Sequence, residues 1–450
     1  MYSSTSSRCL TGFVIAVLCG CSGTVTTPGS FNPSPAPIQT PFYVVQNLGS
    51  LGGTSCCLAG SNNNRGWVDG TSALAGDKSF HPFLWRNGVM KDLGTLGGPN
   101  ASAGGMNDRG DVTVGGSDTG KPDPLGEDFC AFGTHQTCLS FIWHHGKRTL
   151  IPTLGGNNND VNGIINSGLV LAFAETTVHD PTCVAPQVLG YEAFTWEPDT
   201  GKIRRLPPLP GDAVSVAFDM NDRGEAVGYS GACGTSGIDL LLEYHAVMWR
   251  NGKPINLGSL GGTFFISAGG INNHGQVGGT STLPGNTTAH AFLWQNGTMT
   301  DLGTLPGDHL SFGGSINDSG QMAIQSCKTL ADWLNNTIKC HAAIWQNGVM
   351  TGLNALVRPG SSLYLIAANW INNHGAISGT AIDRTTGSLV PFLATPCGLT
   401  RGALQVCTQS AQDRPLADQS TERMLREEAG QQLWSHRKFP SLGASFLVSH

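Results

Sequence analysis

The stretch HAFLWQNGTMTDLGTLPG, residues 290–307, decides the fold. His290, Phe292 and Trp294 alternate with Ala291 and Leu293, the period-two pattern of a strand with two different faces. Asn296-Gly297 follows, a pair that accepts the positive φ of a tight hairpin turn, and TMTDLGTL then resumes an extended run. The stretch reads as a β-hairpin.

The same order recurs along the chain. Pentads stand at HPFLW (81–85), LSFIW (139–143), EAFTW (192–196), HAVMW (245–249), HAFLW (290–294) and HAAIW (341–345), with a worn copy VPFLA (390–394). The turn returns at Asn87-Gly88, Asn251-Gly252 and Asn347-Gly348. A second motif, apolar-Asn-polar-polar-Gly, ends at Gly66, Gly110, Gly224, Gly275, Gly320 and Gly375, with a shortened version at Asn166-Ser167-Gly168. A third, Leu-Gly-x-Leu-Gly-Gly, occupies 48–53, 93–98 and 257–262, with looser forms at 150–156, 206–211 and 302–307. It lacks the Lys-Ser/Thr ending of a phosphate loop, which makes it a turn between units.

Each unit reads as four strands: SAGGINN (267–273), GQVGGTS (275–281), HAFLW and TMTDLGTL. Pentads lie 45 to 58 residues apart, the length of a propeller blade. First strands carry small residues, among them Gly104-Gly105, Asn162-Gly163, Gly269-Gly270, Gly313-Gly314 and Ala367-Ala368, as blades converging on an axis require. The last unit ends at VPFLATP without a fourth strand, whereas FYVVQNLGSLGG (42–53) is a fourth strand with no unit before it. The expected fold is all-β, a seven-bladed β-propeller of four-stranded antiparallel blades over 42–396. Its ring is closed by the N-terminal strand in the last blade, with GALQV (402–406) as a competing source of that strand.

The HAFLW pentad, the INNxG turn and the DLGTLGG run, in that order, resemble the HAF-repeat family of probable extracellular bacterial proteins over roughly 42–396. That resemblance implies export and repetition and brings no catalytic residue. Arg8, the apolar run Leu10 to Leu18, and Leu18-Cys19-Gly20-Cys21 resemble the signal and lipobox of bacterial lipoproteins. This implies removal of residues 1–20 and a lipid on Cys21; the alternative is an ordinary cleaved signal with a soluble product. Residues 21–41 are a Ser/Thr/Gly/Pro tether, and 397–450 a tail with no recognisable motif. The net charge of −6 is too mild and dispersed for nucleic acid or an anionic bilayer, so membrane contact is expected only through the lipid.

Thirteen cysteines less Cys9, Cys19 and Cys21 leave ten, an even number suited to an oxidising compartment. Cys130 and Cys138, Cys327 and Cys340, and Cys397 and Cys407 are close in sequence; Cys183 and Cys233 hold matching places in successive repeats. Cys56-Cys57 has no assigned partner.

Candidate chemistry is sparse. His81, His245, His290 and His341 open their pentads; on different blades they lie too far apart for the ~2 Å reach of a metal, and each is expected to hydrogen-bond a neighbouring blade. Asn107, Asn221, Asn272, Asn317 and Asn372 are expected to serve their own turns, the other reading being a channel-mouth ring for an ion or sugar. Sequence varies most in 118–138, 175–190, 231–243 and 327–340, loops that share one face and hold most cysteines. They also hold Asp123, Glu127, Asp128, Glu175, Asp180, Asp239 and Glu243, expected to be solvated. A pair of these ~5–10 Å apart would suit a glycoside hydrolase. No Gly-x-Ser-x-Gly, HExxH or calcium-loop pattern occurs, and no cofactor is expected. The expected function is a surface-tethered, non-catalytic module binding a glycan or protein through the looped face. A carbohydrate-cleaving enzyme and a structural spacer of the envelope are the alternatives.

Overall fold

The computed structural model describes residues 42–234 and 244–397. They form seven four-stranded antiparallel sheets, each a meander, set as the blades of a β-propeller. Blade five shows the plan: Ser267–Ile271 innermost, then Val277–Thr282, Ala289–Gln295 and Thr298–Asp301 outermost. At the last turn Asn296 has φ 51° and Gly297 φ 85°, and Asn87, Asn251 and Asn347 repeat that pair of positive angles with their glycines. That is the type I′ geometry an Asn-Gly hairpin takes. Among the described residues no helix is long and apolar enough to cross a membrane.

In the five pentads that carry a Phe, its ring fills a fixed place. Phe83, Phe292 and Phe392 are fully buried. Each ring lies against a second-strand glycine: a Cβ on Gly279 would meet Phe292 Cζ at 2.5 Å, and one on Gly70 would meet Phe83 Cζ at 2.6 Å. Burying such a ring contributes roughly 2–3 kcal/mol in each blade that has one.

The Leu-Gly-x-Leu-Gly-Gly runs are blade crossovers. The first Leu extends the outer strand, with Leu257 N–H donating to Ala246 O at 2.9 Å. The second donates its N–H to a serine in the next blade's second strand: Leu51 to Ser72, Leu96 to Ser117, Leu260 to Ser281 and Leu305 to Ser326, at 2.8–3.1 Å. The last glycine packs on that same strand, where a Cβ on Gly262 would meet Thr282 Oγ1 at 2.1 Å. Ser281→Ala is expected to cost about 1 kcal/mol, read as a lower urea midpoint at constant m-value. An unchanged midpoint would refute the staple.

The ring closes through Tyr43–Asn47, which pairs antiparallel with Leu389–Pro396 from Tyr43↔Pro396 to Asn47↔Phe392. The competing segment 402–406 lies outside the described residues, as do 1–41 and the rest of the tail.

The turn asparagines do more than serve their own turns. Asn272 Oδ1 accepts from the N–H groups of His274 and Gln276 at 3.0 Å, which is local. Its Nδ2 donates to Asn317 O in the next blade at 2.9 Å; Asn317 does the same to Asn372 O, and Asn372 to Asn63 O across the seam. These side chains stitch neighbouring blades together. Blade three's turn is of full length, with Gly168 N–H bonding Ile165 O as Gly110 N–H bonds Asn107 O. It is not shortened; Ile165 stands where the others have Asn, and one stitch is lost.

Candidate functional site

The loops between second and third strands lie on one face of the ring, and disulfides hold them: Cys130–Cys138, Cys183–Cys233 and Cys327–Cys340. The second of these ties the loop of blade three to that of blade four. Cys397 is disulfide-bonded, and its expected partner Cys407 lies outside the described residues, as does Cys21. Such cross-links are those of a chain maturing in an oxidising extracellular or periplasmic compartment. Asp180 lies near Cys183 and Cys233, but their sulfurs are bonded to each other and offer no thiolate to a metal.

Two of the loop acids meet, and they are not solvated. Glu127 and Glu175 are fully buried, between the loops of blades two and three. Gln187 Nε2 donates to both, at 3.1 Å to Glu127 Oε1 and 3.0 Å to Glu175 Oε1. Val188 and Leu189 N–H add to Glu127 Oε1, and Asn158 bonds Glu175 and Asp123, at 3.0 Å each. Burial raises the Glu175 pKa, and the adjoining carboxyl of Glu127 raises it further. This is a sealed acid pair sharing donors, with no exposed surface to receive a sugar ring. Asp128 accepts from Gly133 N–H and Asp180 from Thr182 N–H, both closing local turns. Asp239 and Glu243 lie outside the described residues.

The pentad histidines bond carboxylates of their own blade or its entry loop, not a neighbouring blade. His81 Nδ1 lies 2.9 Å from Asp92 and His290 Nδ1 2.9 Å from Asp301 in the adjacent strand. His245 pairs with Asp212 and His341 with Asp308. In blade three Glu192 holds the histidine's place and Arg205 the aspartate's, 2.9 Å apart. The clasp survives with its charges exchanged, so its role is to tie strands together.

The opposite face, made of tight turns, carries the axial cavity. It encloses about 180 Å³ and takes residues from all seven blades. At its mouth the residue after each turn asparagine, or after Ile165 in blade three, alternates from blade one to blade seven: Asn64, Asp108, Asn166, Asp222, Asn273, Asp318, Asn373. Neighbours bond one another, as in Asn64 N–H to Asp108 Oδ1 (2.7 Å) and Asn273 Nδ2 to Asp222 and Asp318 (2.9 and 3.1 Å). Deeper, two residues before the turn position, the cavity is lined by Gly105 and Gly163, or by Ser61 and Ser315; blade five has Gly270 at that place in its sequence. Two blades depart: Asp219 in blade four and Trp370 in blade seven. Burial pushes Asp219 up to about 7 despite N–H donors from Met220 and Ile271. The Asn/Asp alternation was present in the sequence; it gains meaning only when the ring sets these residues side by side, and it breaks once, at the seam, where Asn373 N–H bonds Asn64 Oδ1.

No family model matches the chain, and no curated relative does. The fold is similar to the β-propeller domain of the Trilobed protease from Pyrococcus furiosus, at 9% identity and TM-score 0.44, covering 80% of this chain and 100% of that one. It is also similar to YCF48 bound to D1 peptide, at 11% identity and TM-score 0.40, covering 80% and 96%. A third likeness is to Trypanosoma rangeli sialidase, at 10% identity and TM-score 0.37, covering 84% and 57%. The likeness is one of propeller architecture.

Proposed function

We propose that this chain is an exported, surface-tethered, non-catalytic module that binds a protein partner through its looped face. A lipid on Cys21 and the segment 21–41 would tether the propeller to the cell surface. The observation that carries the reading is a set of aliphatic tips on the disulfide-held loops. Leu125, Val178, Val184, Leu330 and Leu334 are 42–61% exposed there. Single exposed aliphatics are ordinary, but these five all stand on loops of one face, on blades two, three and six, and the cross-linked loops lose little entropy on docking. Aromatic platforms, which a glycan would stack upon, are turned inward: Phe129, Tyr191, Tyr229, Tyr244 and Trp333 are all buried. This favours a protein over a sugar.

The test is affinity capture from envelope extract with the mature chain and with a Leu125→Asp, Val184→Asp, Leu334→Asp variant. The variant should fold normally and retain at least about tenfold less of the captured partner. Equal capture by both proteins, or glycan turnover abolished by Glu127→Gln, would replace this reading.

A further inference from the structure

We propose that the axial cavity on the tight-turn face is a binding site for an organic cation, an ammonium or guanidinium group carried on an apolar stem. The site lies on the face opposite the loops and is independent of the reading above. In a repeat protein the copies set a baseline, and positions where one blade departs from the others stand out against it. This cavity has three such positions. Trp370 and Asp219 replace glycine or serine, and Asn62 stands where Met106, Ile164, Met220, Ile271 and Ile316 form an apolar collar.

The three departures take opposite sides of the ring. Blades seven and one adjoin at the closure seam, placing Trp370 beside Asn62; Asn62 Nδ2 reaches the Trp370 carbonyl at 3.5 Å. Blade four lies three blades from either, so Asp219 stands across the axis from that seam. Asn62 is 3% exposed, and its Nδ2 also donates to Ser378 Oγ (2.9 Å) and Ala376 O (3.3 Å). Those acceptors fix the amide's orientation and leave Oδ1, a buried acceptor at the cavity wall, with no donor.

What the cavity offers is one-sided. Among the described residues no Lys, Arg or His lines it, while Asp219 and the rim residues Asp108, Asp222 and Asp318 do. A concave site bearing charge of one sign concentrates counter-ions. The amide donors nearby are committed: Asn162 Nδ2 to Ala217 O, Asn272 Nδ2 to Asn317 O, Asn273 Nδ2 to the rim aspartates. A sugar needs donors as well as acceptors, whereas a cation needs only acceptors and an aromatic face. Trp370 supplies that face, and the apolar collar matches a methylene stem.

The chemistry has two possible sources, a free small cation or a basic side chain of a partner. Butylammonium and butylguanidinium probe the first, and a short lysine- or arginine-ended peptide the second, each titrated calorimetrically into the full mature chain. Binding at millimolar concentration or tighter is expected, with the neutral analogue pentanol at least about tenfold weaker. Trp370→Leu and Asp219→Asn should each weaken the cation by about tenfold or more. Asp222→Asn, at the solvent rim, should fold as the parent and weaken it about threefold. Tighter binding of the peptide than of the free cations identifies a partner's side chain, and the reverse a soluble cation. Pentanol binding as well as the cations, no heat at tens of millimolar, or unchanged affinity in both Trp370→Leu and Asp222→Asn overturns the proposal.

Discussion

A chain lacking residues 42–50 should lose cooperative thermal unfolding altogether. Those residues form the outermost strand of blade seven and begin the crossover into blade one. Tyr43 is 1% exposed and Leu48 5% exposed, and each packs in a different buried cluster, one in blade seven and one against blade one. Tyr43 also bonds the preceding crossover, its N–H donating to Leu356 O at 2.8 Å and its carbonyl accepting from Arg358 N–H at 3.0 Å. Deleting one buried aromatic costs about 3–5 kcal/mol and one buried Leu about 2–5 kcal/mol. Folded domains rest on a margin of about 5–15 kcal/mol, so the deletion consumes most of it and opens the edge of Leu389–Pro396 as well. Calorimetry should show no cooperative transition. Appending residues 42–50 after Cys397, where a short hairpin can return them to the same edge, should restore one. A deletion variant that melts with the parent would show that the ring does not depend on this strand.

The repeat was legible because its signals are local. Alternation in HAFLW, the positive φ that Asn-Gly accepts, and the glycines that admit close approach are each written within a few residues. The unmatched strand at 42–53 could be read for the same reason: it matches six other outer strands and belongs to no preceding unit. The turn asparagines were only half legible. Oδ1 serves neighbours in sequence, but Nδ2 reaches a carbonyl about fifty residues away, which only the ring supplies. The third pentad opens with Glu192 where others have histidine, and only its register with Arg205 shows that the strand-to-strand clasp is kept with acid and base exchanged. Glu127 and Glu175 were singled out as loop acids, yet their burial was hidden. Irregular loops carry no period, and the path that brings these two to Gln187 is set by packing between blades.

Replacing Glu127 by Gln should stabilise the protein above pH 7 and leave it nearly unchanged near pH 4.5. Glu127 Oε1 takes three donors, while Oε2 is buried without one, and the neighbouring Glu175 has its pKa raised by burial and by this same carboxyl. A carboxyl raised in the folded state holds a proton that the unfolded chain gives up near pH 4. The folded chain then binds more protons than the unfolded one, so stability is fully present below about pH 4 and falls as pH rises through the folded value. Asp69 and Asp219, both pushed to about 7 by burial, add to that slope, as do Asp118 and Asp160 at about 6. Glu225 opposes it only in acid: hydrogen bonds from Asn221, Arg223 and Arg250 overcome its burial and hold it at about 2. Unfolding free energies from urea titrations should therefore fall from pH 5 to pH 8, by an amount reaching a few kcal/mol. In Glu127→Gln the amide oxygen keeps the donors at Val188 and Leu189, and the amide nitrogen takes the place of the oxygen that lacks one. It can then donate to the Glu175 carboxylate at any pH, removing the need for a shared proton. The expected gain is about 1–2 kcal/mol at pH 8 and under about 0.5 kcal/mol at pH 4.5. Glu175→Ala serves as the contrast, since it strands the amides of Asn158 and Gln187 and should cost about 3 kcal/mol at both values. If Glu127→Gln instead destabilises equally at both, the pair shares no proton and the buried anion is itself what the two loops require.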